Sequence, residues 1–105
     1  MKILFDQGTP VPLRRHLGKH EVATAAELSW SQLTNGELLA AATKAGFEVF
    51  VTTDQNLRYQ QNLQDRGIAI VVLMTASWPR ISKKANEIAV TIQRITRAAY
   101  IEIDF

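Results

Sequence analysis

MKILFDQGTP, residues 1–10, is the stretch that decides the fold. The apolar run from Lys2 to Phe5 is too short for a helix, and Asp6, Gly8 and Pro10 end it. It reads as a buried strand with Asp6 at its carboxyl end. Downstream, Pro10 or Pro12 can open a helix in which Leu13 and Leu17 share a face, with Gly18 placed to stop it. His20 to Ala25, carrying Val22, makes a weaker second strand, and Trp30 falls in a connection.

Thr34 or Asn35 can cap the next helix, with Glu37 in its first turn and Gly46 as its terminator. Phe47 to Thr52 is β-branched and aromatic, and ends in Thr52-Thr53-Asp54. A short polar helix is expected over Asn56 to Arg66, anchored by Leu57 and Leu63 and closed by Gly67. Ile68 to Met74 is nearly all apolar, as a strand covered on both faces should be. From Arg80 to about Arg97, Ile81, Ala85, Ile88, Ile92 and Ile95 recur at helical spacing, and Ala99 to Ile103 fits a final edge strand.

Strands that alternate with helices predict a single three-layer α/β domain over residues 1–105, with a mostly parallel sheet of about five strands and helices on both faces. At 105 residues the chain can build one core and not two, and 47% apolar with 21% charged residues is an ordinary globular composition. Cysteine is absent, which excludes disulfides, thiolate nucleophiles and cysteine-ligated zinc. No signal-peptide-like stretch and no membrane-length apolar run occurs, so a cytoplasmic location is expected. The net charge of +2 and pI near 9.2 are compatible with a nucleic-acid substrate without requiring one.

Ligands of open parallel sheets bind outside the carboxyl ends of the strands. Asp6 and Asp54 both stand at such ends although far apart in the chain, and Glu37 opens a helix that should start near the same edge. Converging carboxylates repel unless a cation joins them, and oxygen-only ligation suits Mg²⁺ or Mn²⁺. Each acid also has a plain structural use: Asp6 and Asp54 can cap the helices that follow them, and Glu37 can favour its helix dipole.

With these positions placed, the chain resembles the PIN-like family of small bacterial proteins, relatives of the PIN nucleases and VapC-type toxins. The resemblance is carried by MKILFDQGTP, by Asn35-Gly36-Glu37-Leu38-Leu39 and by VFVTTDQNL at 49–57. It implies a PIN-like fold and a magnesium-dependent endoribonuclease, with Asp6, Glu37 and Asp54 as the catalytic acids and metal ligands. Relatives often carry a further acid where this chain has Asn56, whose amide oxygen can ligate but brings no charge. Thr52 and Thr53 could bond the acids or a phosphate. Arg58, and Arg14 and Arg15 in the basic cluster that also holds His16, Lys19 and His20, could meet the RNA backbone. A toxin of this kind would pair with a small antitoxin protein and could form a homodimer.

Two other readings compete. One is a catalytically degenerate PIN-like module that binds RNA or protein, favoured by Asn56. The other is a receiver-like phosphoacceptor domain with Asp54 as acceptor, suggested by Val71 to Ala76 and opposed by the lack of a Lys after the last strand.

Overall fold

Central strands made almost entirely of apolar residues can be stable only when both faces of their sheet are covered. The computed structural model describes residues 1–57 and 67–105 and shows this arrangement. Strand β1 (Lys2–Phe5) leads through a 3-10 helix (Val11–Leu17) to β2 (Glu21–Thr24), then α1 (Asn35–Lys44) and β3 (Val49–Thr52). Next come β4 (Ala69–Leu73), α2 (Trp78–Lys83), α3 (Ala85–Arg94) and β5 (Tyr100–Ile103). The five strands form one sheet in the order β2-β1-β3-β4-β5, and every pairing is parallel. The expected three-layer α/β architecture is therefore the observed one, with β5 at one edge and β2 at the other.

The pleat sorts the core into two clusters. Ile3, Phe5, Val49, Val51, Val71 and Leu73 point to one face, where Leu13 and Leu17 of the 3-10 helix and Ile81, Ala85, Ile88 and Ile92 of α2 and α3 cover them. Leu4, Phe50, Ile70 and Val72 point to the other, beneath Leu38, Leu39 and Ala42 of α1. Trp30 packs on this second side with its ring 6.3 Å from that of Phe47, so it serves the core. Trp78 packs against the first cluster, 6.1 Å from the His16 ring.

Two elements differ from the sequence expectation, and a third lies mostly outside the described residues. The segment after Pro10 is a 3-10 helix with no side-chain cap and no acid in its first turn, so only a tight, short helix forms. The long helix expected from Arg80 to Arg97 is two helices that meet at Lys84 (φ −112°, ψ 13°) and begin earlier, at Trp78, with Pro79 in the first turn. It also ends earlier, because Ile95 is extended (φ −66°, ψ 139°). The apolar stripe survives the break: Ile81, Ala85, Ile88 and Ile92 are all buried. The helix expected over Asn56 to Arg66 falls mostly on residues 58–66, outside those described.

Phe50 is fully buried and belongs to the second cluster. Phe50→Ala should lower the unfolding free energy in urea by about 3–5 kcal/mol. Val90→Ala, on an exposed residue of α3, should stay within about 0.5 kcal/mol of the parent.

Candidate functional site

From β1 the chain runs outward to β2 and then returns past β1 to β3, so the strand order reverses between β1 and β3. The segment after β1 goes to the face of Leu13 and Leu17, whereas Leu57, after β3, belongs to the opposite cluster. Connections that part to opposite faces leave a crevice at the carboxyl ends of the two strands, which is where sheets of this order bind ligands.

Asp6 lies in that crevice. The register pairs Phe5 with Val51, and the Asp6 amide donates to the Val51 carbonyl at 3.1 Å, which brings Asp6 level with Thr52. Asp6 is only 6% exposed and Thr52 is fully buried, so the carboxylate needs partners from the protein. Its Oδ2 accepts from the Thr52 hydroxyl at 2.5 Å, and its Oδ1 accepts from the Thr9 amide at 3.0 Å. The Thr9 hydroxyl stands 2.7 Å from Oδ1 and 3.0 Å from the Val51 carbonyl, two acceptors that share its single proton. Gly8 lets this turn close: a Cβ there would stand 2.5 Å from the Thr53 hydroxyl oxygen.

Asp54 is joined to Asp6 through Thr52, because the Thr52 hydroxyl oxygen accepts from the Asp54 amide at 3.0 Å. The half-buried Asp54 carboxylate accepts from the Asn56 amide N–H at 3.0 Å and from Nδ2 of Asn35 at 3.0 Å. Asn35 is the first residue of α1, so the amino end of that helix reaches the site. The sequence reading took Asn35 as a possible cap and as part of the motif around Glu37, where PIN-like proteins may carry Asp, and took Gly8 as an end of the first strand; it did not single out Thr9. Asn35 sits two positions before Glu37, and Thr9 three after Asp6, in the same motifs that drew attention to the acids.

Glu37 comes to the same helix end but is turned back on it. Its Oε1 accepts from the Thr34 amide at 2.9 Å while the Thr34 hydroxyl accepts from the Glu37 amide at 3.2 Å, a reciprocal capping box. The bond from the Thr34 amide holds the Glu37 carboxyl below its ordinary value. Among the described residues, no group of three or more His, Cys, Asp or Glu side chains is arranged to hold a metal ion. The acids that Thr52 brings into one network are Asp6 and Asp54. Of the structural uses foreseen for the acids, Glu37 caps its helix. Asp6 does not cap the 3-10 helix after it, which has no side-chain cap, but bonds the Thr9 amide in the turn before it. Asp54 bonds the Asn56 amide at the start of a segment that runs beyond the described residues.

The candidate RNA contacts are dispersed. Thr53 is half-buried beside Gly8. Both terminal nitrogens of Arg14 are engaged by Glu27, at 2.7 and 3.1 Å, whereas Arg15 is exposed. Burial, followed by neighbouring positive charge including Lys19, lowers the pKa of His20, which favours its neutral form. Arg58 lies outside the described residues. A cleft of about 460 Å³ opens at the opposite, amino edge of the sheet, lined by residues including Phe47, Glu48, Thr96 and Arg97, and includes none of the acids singled out above.

Thr52→Val keeps the shape of the side chain but removes the proton donated to Asp6, and should cost about 1.5–3 kcal/mol in urea denaturation. The lowered Glu37 carboxyl contributes stability above its unfolded value of 4.5, and that contribution is lost as pH falls through the lower folded value. Thermal melts of Glu37→Gln should therefore depend less on pH than the parent on the acid side of 4.5. In comparisons with known proteins, no family model, no curated protein and no solved structure matches this chain.

Proposed function

We propose that the crevice between β1 and β3 holds a divalent cation and hydrolyses RNA phosphodiester bonds, and that the protein is the toxin half of a toxin–antitoxin pair. The observation that carries this reading is the continuous chain Asp6–Thr52–Asp54 at the point where the strand order reverses. RNA as substrate and an antitoxin as partner come from the resemblance to PIN-like proteins, to which the positive net charge adds a little.

The donor set fits the cation. Mg²⁺ is commonly held by one or two carboxylates, with waters and substrate phosphate oxygens filling its other positions. Asp6 and Asp54 would hold it, with the Asn56 side chain as a neutral neighbour. When bound, such an ion supplies Lewis-acid activation of water and neutralises charge on the phosphate.

The residues of the chain supply position and charge. Asp6, fixed by Thr9 and Thr52, presents a negative charge that cannot swing away. Asp54, half-buried and closer to solvent, is the carboxylate suited to accept a proton from the attacking water. The amino end of α1 adds a positive potential that favours a phosphate beside them.

A second reading, a binding module without activity, is favoured by Glu37, whose carboxylate is taken up by its own capping box, and by the neutral Asn56. It calls for a folded protein that shows no heat of Mg²⁺ or Mn²⁺ binding at millimolar concentration. On the nuclease reading, Asp6→Asn and Asp54→Asn should each reduce Mn²⁺-dependent RNA cleavage by at least about 10²-fold with the circular dichroism spectrum retained. Cleavage that survives in both variants would exclude this site.

A further inference from the structure

Asp54 is held from two sides. The Asn56 amide N–H comes from its own turn, but the Asn35 side chain comes from α1, nineteen positions earlier, at 3.0 Å in a half-buried setting. Asn35 is free to do this because the helix end is capped without it: Thr34 and Glu37 satisfy each other. Leu38, Leu39 and Ala42 lock the same helix onto the sheet, so the Asn35 amide is delivered from a rigid element.

We infer that Asn35 is the positioning residue of the site: its side-chain amide clasps the Asp54 carboxylate and ties the amino end of α1 to the crevice. The inference rests on the cation reading above and deepens it by naming what orients one of the two ligands. Asn35→Ala removes the clasp. Asn35→Asp is nearly isosteric but replaces a donor with a second carboxylate facing Asp54, a repulsion that only a cation or a proton relieves. The reciprocal exchange Asn35→Asp with Asp54→Asn restores one amide against one carboxylate, yet moves the charge to the helix side, away from the backbone position that bonds Thr52.

The test compares wild type and these three variants by melting temperature in chelator and by Mn²⁺ titration calorimetry. Asn35→Ala should melt about 4–8 °C lower without metal, and should bind Mn²⁺ about tenfold more weakly. Asn35→Asp should melt lower without metal, bind Mn²⁺ more tightly than wild type and gain more from it in melting temperature. The exchange should recover most of the metal-free melting temperature while leaving Mn²⁺ binding weak, a split that a purely structural bond would not produce.

Unchanged Mn²⁺ affinity in Asn35→Ala overturns the positioning role while the cation reading stands. A metal-free melting temperature that Asn35→Asp does not lower, or that the exchange does not recover, overturns the clasp itself. Wild-type protein that binds no Mn²⁺ at millimolar concentration overturns the cation reading and this inference together.

Discussion

A nearly buried carboxylate sets the terms for the rest of the site. Removing a charge from water costs several kcal/mol unless hydrogen bonds replace what the water gave, and Asp6 meets this demand with the Thr9 amide, the Thr9 hydroxyl and the Thr52 hydroxyl. Each of these donors makes a demand of its own. Thr52 must be at the end of β3 and in register with β1, and Thr9 must fold back over Val51, which Gly8 allows by leaving room for Thr53. The turn after β1, the pairing of β1 with β3 and the start of the Thr52–Asp54 segment are thus parts of one solution.

Pleat parity explains why these particular residues meet. Leu4 and Phe50 point under α1, and continuing two residues along each strand puts Asp6 and Thr52 on the same side. The helix crosses that face with its amino end at the carboxyl edge, so Asn35 arrives where Asp54 emerges. Side chains separated by nearly half the chain come together through strand register and helix direction.

Much of this was legible in the sequence. Short apolar runs ending in Asp6 and in Thr52-Thr53-Asp54, alternating with helical stripes, specify a parallel sheet and place both aspartates at its carboxyl edge. The strand order was not legible, because periodicity says which residues face a core and not which strand lies beside which. The break at Lys84 was hidden for the same reason: Ile81, Ala85, Ile88 and Ile92 keep helical spacing across it. Glu37 shows the limit most clearly. A Thr followed three residues later by Glu is a capping-box pattern as well as an acid near a site, and in the structure the Glu37 carboxylate engages the Thr34 amide.

The two core clusters are separated by the sheet, and the segments on either side of the crevice lead to opposite layers. Asp6 stands at this seam. Its partner Thr9 starts the segment that covers one layer, while Thr52 and, through Asp54, Asn35 belong with the other. The residue is therefore a fastening between the two layers, in addition to the strands that they share. An acid at this position answers an architectural need on its own, whatever chemistry the crevice performs.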